Sequence, residues 1–348
     1  GTAHINGTTI NFAQSGIVLT NGSTGNLIGG TTAAQRNVIS GNNWYGVEFI
    51  GAGTSNNSLF GNYIGTDATG FFAIANISGV SMYNAASNNQ IGSGAAGAGN
   101  VISGNLTYGV FIANNNATGN KIQGNLIGLA KNGSTIVGNA SSGVYISDSA
   151  TSNVIGTDGN GVDDIAERNI ISGNANGVEI ESAGVTGNIV AGNYIGTDIT
   201  GMYARANIGD GVRMFGGASS NTIGGTAAYT GNLIGGNSGN GIYIGSGGSN
   251  TVAGNIIGLN ASGGVADGGI ISGNVGSWQG EGDAADTRLT ANGTLFSGTT
   301  FTNGHQGQAF QFDGVDDYVE IADNVAHQLQ TLTVSAWIKP DFATMDNF

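Results

Sequence analysis

The chain has no cysteine, a single proline and only 9% charged residues among 348. Without cysteine there is no disulfide framework and no thiolate metal site, which leaves the redox compartment open. Basic residues are scarce: Lys and Arg total 8 against 22 Asp and Glu, a formal net charge of −14. Phosphate binding needs a basic footprint, so no nucleic-acid partner is expected, and an anionic membrane surface suits the chain no better. No run of about 18 apolar residues occurs, so no membrane-inserted helix is expected in this fragment. The chain starts at Gly1 without Met and shows no signal peptide, which reads as a fragment whose export signal is not visible.

What is abundant is glycine, with 66 residues. Gly costs roughly 1 kcal/mol per helix position relative to Ala, which excludes a helical bundle. A hydrophobic share of 39% is too high for a flexible linker, and the Gly spacing is too irregular for collagen. The chain must therefore bury a core between frequent tight turns.

Self-similarity supplies the organisation. A pattern of Gly, Val or Ile, any residue and an apolar residue recurs at Gly16, Gly46, Gly79, Gly109, Gly143, Gly177, Gly211 and Gly241. A second, Asn followed after one residue by Ile, Leu or Val, keeps step at Asn26, Asn57, Asn89, Asn120, Asn153, Asn188, Asn221 and Asn250. These make eight units of about 32 residues. The units alternate: odd ones carry a third strand signal such as NVISGN at Asn37 and Asn100, even ones continue as GNYIGTD at Gly61 and Gly192 or GNLIGLA at Gly124. An expansion of five residues lies between Asn153 and Asn169.

Within each unit apolar residues alternate over three to five positions and then meet Gly or Asn, the pattern of short strands joined by turns. A propeller blade needs longer antiparallel strands, and a leucine-rich repeat needs a helical stretch in each unit. The remaining solution is a parallel coil of about eight turns rising about 4.8 Å each. Val47 with Phe49, Val110 with Ile112, Val144 with Ile146 and Val178 with Ile180 then point inward. A second stack runs through Ile28, Leu59, Ile91, Ile122, Ile155, Val190, Ile223 and Val252, with the Asn before each forming an amide ladder.

The alternation of NVISGN, GVxI, GNYIGTDATG and NxIGGT over residues 1–274 resembles the right-handed parallel β-helix repeats of large bacterial surface and secreted proteins, related in fold to the pectate lyases. The resemblance implies an all-β fold and an extracellular or cell-surface location. It says little of activity, because one fold hosts many functions.

From about Val275 the periodicity stops, and residues 275–348 hold 10 acidic and 2 basic residues. Trp278, Gly280 to Asp283, Asn292 to Leu295, Gly307 to Phe312, Asp313 to Ile321 and Ala336 to Pro340 resemble the opening of a laminin-G-like, concanavalin-A-like jelly roll. Ala309 to Phe312, Tyr318 to Ile321 and Leu332 to Ile338 alternate as strands. Residues 275–348 thus read as the N-terminal part of a β-sandwich, lacking most of its strands, so its edges and a core face are expected to be poorly packed. The resemblance implies glycan or extracellular-protein binding, in some members through Ca²⁺.

The residue two after each anchor Gly is expected to point outward, giving the column Val18, Glu48, Ser81, Phe111, Tyr145, Glu179, Arg213 and Tyr243. Phe111, Tyr145, Glu179, Arg213 and Tyr243 read either as a saccharide groove or as cross-strand pairing on a solvated sheet. Trp44 reads as a sugar platform or a turn packing residue. Glu48 and Glu179, four coils apart, would stand about 19 Å from each other, against roughly 5–9.5 Å for a glycosidase carboxyl pair. Asp67 and Asp198 fail in the same way. Glu179 beside Arg213 is the best remnant of a lyase-like arrangement, while Arg36 and Arg168 recur in AQRN and AERN as consensus turn residues. His4, His305 and His327 make no triad or metal pair.

Two acidic turns offer oxygen ligands of the kind Ca²⁺ takes: Asp158, Asn160, Asp163 and Asp164 in the expansion, and Asp313, Asp316 and Asp317 in the tail. No cofactor is required by this reading, and Ca²⁺ is an optional one. The expected function is a non-catalytic extracellular module, a β-helix stalk presenting a carbohydrate-binding or adhesive domain to a glycan or a cell-surface protein. The alternatives are a lyase or hydrolase of an acidic polysaccharide using Glu179 and Arg213, and a purely structural spacer.

Overall fold

The structure, a computed structural model, describes residues 14–264, 278, 280–286, 292–304 and 307–322. The chain divides into two compact units, Gly1–Gly268 and Gly269–Phe348. His4, His305, His327 and the expected strand Leu332 to Ile338 lie outside the described residues.

The first unit is a parallel β-solenoid. Its three sheets each contain eight parallel strands, so about seven turns separate the first rung from the last. The first sheet runs from Ile17–Leu19 to Ile242–Ile244, the second from Leu27–Gly29 to Thr251–Ala253 and the third from Val38–Ile39 to Ile256–Ile257. Every repeat unit puts one strand into each sheet. Its equivalents stack in register: Val110 pairs with Val80 on one side and Val144 on the other.

The inward residues form continuous columns. Val47, Val80, Val110, Val144, Val178 and Val212 are completely buried, as are Phe49, Met82, Ile112, Ile146, Ile180 and Met214 beside them. Leu59, Ile91, Ile122, Ile155, Val190 and Ile223 line the core from the second sheet. The terminal rungs differ because nothing beyond them completes their cover among the described residues. Val252 is 42% exposed and Ile28 only partly buried.

The anchor glycines have a spatial cause. A Cβ on Gly109 would stand 2.6 Å from the carbonyl oxygen of Gly143 and 2.8 Å from Ile127 Cγ2. The same collision recurs between Gly46 and Gly79 and between Gly79 and Gly109. Successive rungs approach here more closely than any side chain permits.

Asparagine holds all three corners, not one. Before the second sheet, Asn57 donates from both its backbone N–H and its side-chain amide to Asn89 Oδ1, at 3.2 and 2.9 Å. The ladder extends from Asn26 to Asn250. A second ladder runs from Asn37 to Asn255 before the third sheet. A third runs from Asn42 to Asn237 before the first. The pentapeptide spacing in NVISGN places its two Asn on the second and third ladders at once. Along each ladder the amide donates to the Oδ1 of the following Asn, and Nδ2 also donates to a backbone carbonyl of the preceding rung, as Asn57 does to Ser23 O.

The odd–even alternation is an alternation of insertion sites. Odd units lengthen the corner between second and third sheets, and even units lengthen the corner between third and first. Asn26 to Asn37 spans eleven positions where Asn57 to Asn62 spans five, and Asn62 to Asn76 spans fourteen where Asn37 to Asn42 spans five. The even insertions are hairpins closed by the bridges Thr66 to Ala73, Leu129 to Ile136 and Thr197 to Ala204. The second and third each donate a backbone bond to the hairpin two turns earlier, Lys131 N to Gly70 O at 3.1 Å and Ile199 N to Gly133 O at 2.9 Å. Asp67 closes its hairpin by accepting from Thr69 Oγ1 and from the N–H of Phe71 and Phe72, which holds its carboxyl below the usual range. Arg36 and Arg168 stack over Tyr63 and Tyr194 at 4.2 and 3.8 Å while Nε donates to the carbonyls of Gly61 and Gly192. Both are structural stitches.

In the second unit the described strands form two antiparallel pairs, Gly293–Phe296 with Tyr318–Ile321 and Thr300–Asn303 with Gln308–Gln311. The partial sandwich expected from sequence is represented, among the described residues, by these small sheets alone.

Asn125→Ala would leave the backbone N–H of Asn100 without its acceptor, its amide with the Leu59 carbonyl alone, and the carbonyls of Ile91 and Gln123 each short of one donor. An unsatisfied buried group costs roughly 1–3 kcal/mol. The urea midpoint of Asn125→Ala is expected to fall well below wild type, and that of Asn26→Ala, at the exposed first rung, to fall much less. Equal losses would contradict the ladder account.

Candidate functional site

The first sheet has the longest strands, reaching six residues in Tyr45–Ile50 and Ser78–Tyr83. Its outward side chains therefore form a broad face. Register places Val18, Glu48, Ser81, Phe111, Tyr145, Glu179, Arg213 and Tyr243 in one column, each paired with the next. A flanking column includes Tyr83, Glu181 and Phe215, and the residues before the anchor Gly, among them Tyr45, Tyr108, Ser142 and Asp210, lean onto the face.

Aromatic rings dominate its middle. Tyr108, Phe111 and Tyr145 lie nearly parallel, with centroids 4.5–5.8 Å apart. Tyr45 meets Tyr83 edge-on at 6.1 Å. Trp44 is 49% exposed and packs obliquely on Tyr45 at 5.3 Å, so it combines an exposed ring with a packing role.

The carboxylates are held by neutral donors. Glu48 accepts from Ser15 Oγ at 2.6 Å and from Tyr83 OH, Glu179 from Ser142 Oγ and Asn176 Nδ2, and Glu181 from Tyr145 OH. Burial raises the Tyr83 and Tyr145 hydroxyls far above their ordinary range, and their carboxylate acceptors add to the effect. Both phenols stay protonated and serve as donors.

Glu179 and Arg213 are neighbours in register, yet no hydrogen bond or ion pair joins them among the described residues. The guanidinium lies against Phe215 and Tyr243, 4.5 and 5.6 Å from the ring centroids, and Nε is 4.0 Å from Asp210. Arg213 Nε is buried without a hydrogen-bond partner. Four register steps separate Glu48 from Glu179, which keeps them about 19 Å apart. At the edge where the strands end, left-handed turn residues line an open groove of about 620 Å³ with amides, hydroxyls and one carboxylate, including Asn84, Asn114, Asp148 and Ser182. This groove was not legible in sequence, although the polar turns after each GVxI strand were its signal.

The expansion between Asn153 and Asn169 folds over Lys121. Asp158 pairs with the Lys121 ammonium at 2.7 Å. Asp164 accepts from Thr157 Oγ1 at 2.7 Å and from Gly161 N at 3.1 Å, and Glu167 accepts from Asp158 N at 3.2 Å. The oxygens of Asp158, Asp164 and Glu167 lie within 4.8 Å of one another. Of the expected ligand set, Asn160 and Asp163 are not in this group. Asn160 Oδ1 instead closes a turn onto Val162 N, and Asp163, at φ +58°, offers its carbonyl to the N–H of Ala166 and Glu167. Glu167 takes their place, missed because it sits in the AERN consensus. Lys121 already supplies a counter-charge here, so this group fits a divalent ion less well than its oxygens alone suggest.

In the tail, Asp313, Asp316 and Asp317 also converge within 4.8 Å. Backbone N–H groups, first that of Val315, lower the Asp313 carboxyl below its usual range. Asp317 Oδ2 accepts from Asp313 N, while Oδ1 is buried without a partner.

Burial, then the charges of Asp158 and Asp164, raises Glu167 above the usual carboxylate range. A raised folded value means that the stability from protonated Glu167 is complete below the unfolded value of about 4.3 and is lost as pH rises through the folded value. Glu167→Gln is therefore expected to melt higher than wild type at pH 7, with the two curves converging near pH 4. A variant that melts lower at pH 7 would contradict this. Comparison with family models, with curated proteins and with solved structures gave no match to this chain.

Proposed function

We propose that the protein is a non-catalytic extracellular or cell-surface module whose solenoid binds an extended glycan along the outer face of its first sheet. The carrying observation is the column of accessible aromatic and hydrogen-bonding side chains from Phe111 to Tyr243, four register steps or about 19 Å long, beyond which Ser81 and Glu48 are buried. Phe111, Tyr145 and Tyr243 supply apolar ring surface, Trp44 an exposed ring at one end, and Glu179 and Arg213 polar partners for hydroxyls. The groove beside the strand ends adds amides and hydroxyls. An extended ligand suits a site repeated at each rung.

The lyase reading has weaker support. Arg213 lies against two rings without a hydrogen bond to Glu179, and the other acids on the face oppose an acidic polysaccharide. The spacer reading draws on the ring stacking, since rings that pack face to face offer mainly edges to a ligand.

For the tail, we propose the opening of a laminin-G-like domain, with Asp313, Asp316 and Asp317 as Ca²⁺ ligands. The buried free oxygen of Asp317 supports it, because a cation would satisfy that group. A glycan array probed with the full chain is expected to give saccharide hits that Tyr145→Ala weakens roughly tenfold, the order of one lost stacking contact. An array without hits would refute the glycan reading. Turnover of an acidic polysaccharide, lost in Arg213→Ala, would replace it with the lyase.

A further inference from the structure

The aromatic face carries an uncompensated negative charge. Glu48, Asp148, Glu179, Glu181 and Asp210 lie on it or at its groove edge, and among the described residues Arg213 is the single cation there, so five negative charges against one positive leave −4. Among the described residues, the other five cations are engaged elsewhere. Arg36 and Arg168 stack on tyrosines, Lys121 pairs with Asp158, Lys131 lies 5.2 Å from the Phe71 ring and Arg205 donates to Ser134.

This charge is built in. Glu48, Glu179 and Glu181 are oriented by Ser15, Tyr83, Ser142, Asn176 and Tyr145, all neutral donors that bring no positive charge to the face. A carboxylate has about four acceptor sites, so those with one or two donors retain capacity for another. Between the acids stand the stacked rings of Tyr108, Phe111 and Tyr145, which keep water from part of the face. A face whose carboxylates outnumber its cations favours an ammonium group over a hydroxyl and repels an anion.

We propose that this face selects a saccharide bearing free amino groups, an amino-sugar oligomer whose ammonium groups meet Glu179, Glu181 and Asp148. The inference rests on the glycan reading above and adds the charge of the ligand. Arg213, held against two rings and facing Asp210, is too isolated to reverse the sign of the field. A basic peptide shares the charge complementarity, but rings and a polar groove running along a flat strand face suit pyranose rings better than a peptide backbone.

The test is calorimetric titration of the full chain with four hexamers: glucosamine, N-acetylglucosamine, galacturonate and lysine. Glucosamine hexamer is expected to bind roughly fivefold or more tighter than its acetylated form at low salt, the scale of one or two exposed ion pairs. That advantage should shrink near 0.5 M salt, where screening lengths drop to about 4 Å. Glu179→Gln with Glu181→Gln should abolish the preference, so that the two hexosamines bind alike whatever their common affinity becomes, and Asp148→Asn, in an exposed turn, should reduce it without touching the sheet. Equal affinities for the two hexosamines, or tighter binding of galacturonate, would overturn the charge inference while the glycan reading stands. Lysine hexamer matching glucosamine and displacing it would overturn the choice of a saccharide. If none of the saccharides bound, both readings would fall together.

Discussion

The structure depends on a constant rung height. Parallel strands set it near 4.8 Å, and an asparagine amide spans that distance as donor on one side and acceptor on the other. Each corner residue is therefore satisfied only if its equivalents above and below stand directly over it. Buried as most of them are, an unmatched amide would be costly, so the ladders enforce register along the whole axis. A parallel sheet with short two-residue strands, such as the third, would be weakly specified without them.

This constraint decides where the chain can vary. Extra residues cannot enter a strand or a ladder step, so they leave at corners, alternating between two of them. The corner after the first sheet stays compact, and the outer face of that sheet runs uninterrupted past the hairpins. Variation along the face is then confined to side chains, and there the aromatic and acidic residues collect. The same logic explains the five-residue expansion, which projects from a corner and closes over Lys121 without disturbing Asn153 or Asn169.

Much of this was legible in the residues. The spacing of the anchor glycines gave the rungs, and the alternation in GVFI and GVYI gave the inward Val110, Ile112, Val144 and Ile146. The outward column followed from the same parity. The ladder before the second sheet was foreseen. The two others were present in NVISGN but looked like turn composition, because nothing in a linear pattern says that Asn37 and Asn42 sit at two different corners. The tail motifs announced strands, of which the described residues contain two antiparallel pairs.

Periodicity by itself determined the fold, since apolar residues at fixed spacing have one way to share a core when glycine forbids helices and the repeats are too short for blades. It also determined which residues share a face. Only the tertiary structure decided what those side chains do to one another. Glu179 meets Ser142 and Asn176 and not Arg213, and Glu181 meets Tyr145 from the preceding rung. Glu167 replaces Asn160 and Asp163 beside Asp158. Such pairings depend on side-chain reach between rungs some thirty residues apart in sequence, and spacing along the chain carries no information about the direction in which a long side chain turns.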